Sequence, residues 1–100
     1  MQINITGHHL STTDAMKHYT LEKMEKVEHH YEHINSIDIV FNVEHRAHIA
    51  EATINIPNNR LHARASAEDM YQAVNELVSK LDKQIRRYND KITSRKRKGE

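Results

Sequence analysis

The chain has 100 residues, a length that fits one domain and leaves no room for two. It contains no cysteine, which excludes disulfides and thiolate chemistry. Residues 1–7 do not resemble a signal peptide, and no stretch approaches the roughly 20 apolar residues that span a bilayer. We therefore expect a cytoplasmic protein without a membrane segment.

The formal net charge is only +1, but the charges are unevenly distributed along the chain. Residues 1–79 hold 6 basic and 11 acidic residues, a net charge of −5. Residues 80–98 hold 9 basic and 2 acidic residues, a net charge of +7. Such asymmetry indicates an anionic partner that the total charge conceals.

The first half of the chain predicts a strand, a helix and a second strand. Residues 2–7 alternate between apolar and polar side chains, as half-buried strands do. Apolar residues and Thr20 then recur every three or four positions, which predicts an amphipathic helix over about 13–33. Residues 37–44 alternate again, with Ile37, Ile39 and Phe41 on one side.

The second half predicts a hairpin and a long helix. Residues 50–56 and 61–65 alternate on either side of Pro57-Asn58-Asn59-Arg60, which favours a turn. An apolar stripe from Met70 to Ile92 predicts a helix from about 69 to the low 90s. We therefore expect an α+β two-layer fold of order βαβββα, in which two helices pack on one face of a four-stranded sheet. Residues 1–93 would form the domain, and residues 94–100 a basic, disordered tail.

Basic residues three or four apart mark one face of the last helix. Such positions share a helix face and could neutralise RNA phosphates. The alternative is a solvated face whose cations complement the helix dipole. The pattern favours the phosphate ridge, pointing away from the sheet, and its residues are Lys80, Lys83, Arg87, Lys91 and Arg95, with Arg86 beside them.

Three residues outside this ridge are weaker candidates. Tyr71 is either a partly exposed stacking group or, as the residues slightly favour, a side chain packed over the sheet edge. Lys23 and Lys26 share an exposed face of the first helix, and taken alone they indicate ion pairs with neighbouring carboxylates.

The sequence supports neither a metal site nor an enzyme, although it contains nine histidines. His29 and His33 have a spacing that can bind zinc, but nothing supplies a third and fourth ligand, so surface histidines are the favoured interpretation. The sequence has no glycine-rich phosphate loop, no cysteine nucleophile and no HExxH motif. We predict no enzyme activity, no cofactor and no metal.

Three segments together resemble a known family. They are Met1-Gln2-Ile3-Asn4-Ile5-Thr6-Gly7, Lys23-x-x-Lys26, and Ala67-Glu68-Asp69-Met70-Tyr71-Gln72-Ala73-Val74 leading into Lys80-Leu81-x-Lys83-Gln84. Over residues 1–92 the sequence resembles the ribosome hibernation promoting factors, which are related to ribosome-associated inhibitor A and to the sigma-54 modulation proteins.

The resemblance implies a function and a site. Members bind the small ribosomal subunit at the decoding region, over the tRNA and mRNA path, and block translation in stationary phase or stress. Short members, which this chain resembles in ending at residue 100, favour inactive 100S ribosome dimers, alone or with a second dimerisation factor. The implied contacts with 16S-type rRNA are Lys23, Lys26, Tyr71, Lys80, Lys83, Arg86, Arg87 and Lys91. We expect the free protein to be a monomer.

Two other functions remain open at this point. A protein-binding regulator, such as a sigma-factor modulator, would act through the open acidic face of the sheet. A general double-stranded RNA-binding module would use the same sheet-and-helices plan and would bind duplexes without ribosomes.

Overall fold

A computed structural model describes residues 2–31 and 33–98, without the side chains of residues 30 and 92–98. Six elements follow one another in the predicted order βαβββα. Their bounds are β1 Gln2–His8, α1 Asp14–His30, β2 Ser36–Glu44, β3 Ala47–Ile56, β4 Asn59–Ala67 and α2 Met70–Lys98. Neither helix combines the length and apolarity needed to cross a membrane over the residues described.

The four strands form one sheet in the order β1-β2-β3-β4. β1 runs parallel to β2, and α1 makes the crossover that such a parallel pair requires. The two later pairs are antiparallel, with Ile39 opposite Ala52 and Ala52 opposite Ala63. The strand alternation and the four-stranded, two-helix architecture are therefore as predicted from the sequence.

The core lies between one face of the sheet and the two helices. β2 contributes Ile37, Ile39 and Phe41, all at most 1% exposed, and α1 contributes Met24 and Val27. The buried stripe of α2 consists of Met70, Ala73, Val74, Leu77, Val78, Leu81 and Ile85. Burial of this much apolar surface on one side leaves the opposite face of the sheet to water.

α1 begins as the sequence predicts and ends earlier. Thr13 caps the helix, because its hydroxyl accepts a hydrogen bond from the backbone N–H of Met16 at 3.1 Å. The buried hydroxyl of Thr20 donates to the carbonyl oxygen of Met16 at 2.8 Å, which explains a polar residue in the apolar stripe. The prediction that the helix reaches 33 is wrong, because Tyr31 is extended and packs its ring against Tyr88.

α2 is longer than the sequence predicts. Its start is capped by Asp69, whose carboxylate accepts the backbone N–H of Gln72 at 2.9 Å. The helical backbone continues to Lys98, beyond the predicted end in the low 90s. Residues 99 and 100 and the side chains from 92 onward lie outside the described part. The domain limits 1–93 and the disordered tail at 94–100 stay predictions.

The open face of the sheet is polar and is cross-linked by its own side chains. Asp38 accepts hydrogen bonds from the amides of Asn4 at 2.9 Å and Asn55 at 3.0 Å, which ties β1, β2 and β3 together. Arg64 of β4 reaches Glu51 at 3.5 Å. The apolar residue Ile49 also lies on this face and is only 3% exposed, a burial that strand alternation alone does not predict.

Gly7 is required where β1 turns toward α1. A Cβ at this position would lie 2.5 Å from the carbonyl oxygen of Leu10, so backbone would have to move. We expect Gly7→Ala to lower the free energy of unfolding by about 1–3 kcal/mol, as overpacked sites do. Urea unfolding measures the loss, with exposed Thr6→Ala as the control in the same strand. An unfolding midpoint for Gly7→Ala equal to that of the control would contradict this close approach.

Candidate nucleic-acid interface

The rotation of α2 places its basic residues on two different flanks. The buried stripe, which includes Leu77, Leu81 and Ile85, faces the sheet and α1. One flank of the helix lies beside the edge strand β4, and the other lies beside α1. Since successive residues turn by about 100° around a helix, the neighbours Arg86 and Arg87 belong to different flanks.

We call the set Lys80, Lys83, Arg87 and Lys91 the β4-side ridge. All four residues are exposed. The prediction that the ridge points away from the sheet is wrong for Lys80, whose ammonium donates to the carbonyl oxygen of Arg64 in β4 at 2.7 Å. Gln84, one turn later, donates to the carbonyl oxygen of His62 at 2.7 Å. These two hydrogen bonds hold the ridge against the sheet edge, and Lys80 keeps two further N–H donors for a phosphate.

Arg86 lies on the α1 flank and is engaged by a buried carboxylate. Its Nε is 3.3 Å from Asp82, one turn earlier, and the Asp82 residue is only 6% exposed. The spacing of the basic residues along the helix does not predict this role of Asp82. The available signal was its position beside Val78, Leu81 and Ile85, on the margin of the apolar stripe.

The groove between α1 and α2 holds the remaining predicted residues. Three residues of α1 line it, Glu22, Lys23 and Lys26. They face Asn75, Val78 and Ser79 of α2 across a volume of about 340 Å³. Both lysines are exposed, and within the described part of the chain neither forms an ion pair. The interpretation of Lys23 and Lys26 as ion-paired surface residues is therefore wrong, and neither ammonium is neutralised by a carboxylate of the described residues.

Aromatic side chains close one end of this groove. Tyr19 and Tyr71 meet edge to face with ring centroids 4.8 Å apart, and the Tyr19 hydroxyl donates to the amide oxygen of Asn75 at 2.6 Å. The ammonium of Lys23 lies 5.3 Å from the Tyr19 ring centroid, a cation–π contact. Tyr71 is 43% exposed and packs on α1, so the alternative that it packs over the sheet edge is wrong.

A second tyrosine pair lies where α1 ends. Tyr31 and Tyr88 have ring centroids 5.5 Å apart. Burial raises the pKa of Tyr31, and the neighbouring Tyr88 raises it further. Both influences favour the neutral phenol over the phenolate.

Taken together, the seven predicted basic residues form two rows around α2, and Tyr71 lies beside one of them. The β4-side ridge is one row; Lys23, Lys26 and Arg86 line the α1 flank, with Tyr71 among them. Two rows of cations separated by the width of a helix suit the phosphates of a folded RNA. Among the residues described, no group of three His, Cys, Asp or Glu side chains could hold a metal ion.

Comparison with known proteins identifies the family. The family model described as sigma 54 modulation protein / S30EA ribosomal protein matches residues 3–93. The chain belongs to this family. A ribosome hibernation promoting factor of Salmonella typhimurium is 39% identical over 92 residues, with 92% of this chain and 97% of that protein covered. Proteins of the same name from Pseudomonas putida and Escherichia coli are 38% and 35% identical.

Solved structures confirm the fold of this S30EA-family chain. A ribosomal subunit interface protein from Coxiella burnetii is 28% identical with a TM-score of 0.86, and the match covers 90% of this chain and 99% of that one. The N-terminal domain of Protein Y from Thermus thermophilus is 22% identical with a TM-score of 0.81, covering 88% and 99%, and supports the fold alone. Family membership also confirms the prediction that the protein is not an enzyme.

The different settings of Arg86 and Arg87 give a direct test of the geometry. Arg86→Gln leaves the buried Asp82 carboxylate without this charged partner, so we expect a loss of about 1 kcal/mol in unfolding free energy. Arg87→Gln changes an exposed side chain and should stay within about 0.5 kcal/mol of the parent protein. Chemical denaturation of both variants measures the difference, and equal stabilities would argue against the Asp82–Arg86 pairing.

Proposed function

We propose that the protein is a ribosome hibernation factor. It binds the rRNA of the small ribosomal subunit at the decoding region, covers the tRNA and mRNA path, and so inhibits translation in stationary phase or stress. The relatives named ribosome hibernation promoting factor support the biological role. The observation that carries the RNA-binding part is the pair of exposed cationic rows on the two flanks of α2.

The charge distribution supports an RNA target over a protein target. Residues 1–79 carry a net charge of −5, and residues 80–98 carry +7. The segment 80–98 therefore attracts a polyanion, while residues 1–79 taken as a whole repel it, which orients the protein as it approaches. Phosphate contacts from Lys80, Lys83, Arg87 and Lys91 on one flank, and from Lys23, Lys26 and Arg86 on the other, would then fix its position.

The open face of the sheet suits neither base-stacking recognition of single-stranded RNA nor a protein-binding regulator. Its described residues include no Phe, Tyr or Trp on which RNA bases could stack. Its carboxylates are also engaged, since Asp38 accepts two amide donors and Glu51 lies 3.5 Å from Arg64. A sigma-factor modulator acting through this face would have to break these contacts, which favours the helical side as the binding surface.

We further propose that the bound protein favours inactive ribosome dimers. The match to the hibernation promoting factors covers 92–97% of their length in three relatives, so this chain and those proteins are of similar size. Free in the cytoplasm the protein would be a monomer. Dimers would then arise from a ribosome whose conformation the protein selects, alone or with a second dimerisation factor, rather than from contacts between two copies.

Salt-dependent co-sedimentation with purified small subunits tests the proposal. If five to seven phosphates are neutralised, the slope of log K against log salt should be roughly −4 to −6. Prior occupation of the decoding sites by tRNA should compete with binding, because both ligands need the same space. If binding depends on salt but is unaffected by tRNA, the proposal of RNA binding stands and the proposed position at the decoding region is refuted.

Charge reversal of the ridge separates the RNA-binding proposal from the regulator. We expect Lys83→Glu/Arg87→Glu to weaken subunit binding at least tenfold, since two phosphate contacts become repulsive. The matched control is Lys17→Glu/Arg46→Glu, which changes the net charge equally at two exposed positions outside the ridge and the groove. Equal losses in both variants would show that total charge, and not the ridge, determines binding.

Sucrose-gradient sedimentation of whole ribosomes tests the dimer proposal. Adding the parent protein to ribosomes should increase the fraction that sediments as 100S particles, and Lys83→Glu/Arg87→Glu should not. A general double-stranded RNA module would instead bind isolated RNA duplexes as tightly as subunits, and would leave the sedimentation profile unchanged.

A further inference from the structure

A cleft at the end of the β4-side ridge has the chemistry of a nucleotide site. It lies where α2 passes the turn between β3 and β4, and its volume is about 610 Å³. This volume is within the range of pockets that hold small ligands. The lining residues are Asn59, Leu61, Gln84, Arg87, Tyr88, Asp90 and Lys91.

The floor of the cleft is apolar and aromatic. Leu61 and Tyr88 are half-buried and pack on the edge of the core, each leaving part of its surface in the cleft. The Tyr31 ring packs against Tyr88 but does not itself line the cleft. This contact supports the Tyr88 ring from outside the cleft, and a supported aromatic ring of this kind can stack on a nucleobase.

The rim of the cleft carries polar groups of the right kinds. Gln84 donates its amide N–H to His62, so its amide oxygen remains as an acceptor. Asn59 has the converse arrangement, because its side-chain oxygen accepts the Arg60 N–H and its amide nitrogen remains a donor. A donor and an acceptor beside an apolar floor suit the hydrogen-bonding edge of a base.

The charges at the mouth select a phosphate-bearing ligand. Arg87 and Lys91, one turn apart on α2, are both exposed and can hold the phosphate of a stacked nucleotide. Asp90 lies on the outer rim and repels phosphate, but its carboxylate accepts hydrogen bonds from a ribose hydroxyl or a base amino group. The cleft is therefore cationic only on the side nearer the ridge.

We propose that this cleft captures one unpaired nucleotide of the bound RNA, with its base against Leu61 and Tyr88 and its phosphate on Arg87 and Lys91. The inference rests on the proposed RNA-binding function and adds a base-dependent contact to it. The β4-side ridge would contact only the RNA phosphates, so its affinity does not depend on whether a base is present. The affinity of the cleft does depend on the base.

NMR titration of the full chain separates the two contributions. The probes are a short unstructured oligoribonucleotide and an abasic oligomer of the same length and phosphate count. We expect the oligoribonucleotide to shift the Leu61 methyl and Asn59 side-chain signals, and the abasic oligomer to bind about tenfold more weakly without shifting them. Identical affinities with shifts confined to the ridge would overturn the cleft and leave RNA binding by the ridge intact.

Substitutions of two neighbouring asparagines provide a matched pair of variants. Asn59→Asp keeps the acceptor for the Arg60 N–H and places a carboxylate in the cleft, while Asn58→Asp makes the same charge change outside it. We expect Asn59→Asp to weaken oligoribonucleotide binding about fivefold more than Asn58→Asp. Equal effects would overturn the proposal. The proposal would also be overturned if a free mononucleotide bound the cleft as tightly as the oligomer, because the ligand would then not be an RNA strand.

Discussion

The burial of one stripe of α2 against the sheet and α1 determines the rest of the molecule. Val74, Leu77, Leu81 and Ile85 are completely buried, and together they fix the rotation of the helix about its axis. A rotation by one residue would move every cation by about 100° and expose the stripe. The hydrophobic effect therefore acts as the positioning force for charges that themselves contribute little to stability.

The acidic and basic parts of the chain also have different internal organisation. On the open face of the sheet, opposite charges and amides lie close enough to bond across strands, as Asp38 does with Asn4 and Asn55. On α2, most basic side chains of the β4-side ridge face water without a carboxylate partner among the described ion pairs. The first arrangement is internally neutralised, and the second leaves charge for an external polyanion.

Much of this organisation could be predicted from periodicity, because alternation and three/four spacing report which face of an element is buried. The strands, the core residues of β2 and the ridge positions on α2 follow from it. Periodicity does not report which neighbour borders each flank. The bond from Lys80 to β4, the burial of Asp82 and the contact of Tyr71 with Tyr19 depend on where β4 and α1 lie, which is a property of the topology. The ring contact of Tyr31 with Tyr88 similarly joins residues 57 positions apart in the chain.

The hydrogen bonds from α2 to β4 have a consequence for self-association. An edge strand ordinarily offers outward carbonyls that another chain can use to extend the sheet. In β4, Lys80 and Gln84 occupy the carbonyl oxygens of Arg64 and His62, two residues apart and therefore on the same side of the strand. Side chains of α2 thus block strand addition at β4. The protein is in this way protected along that edge against pairing with its own copies.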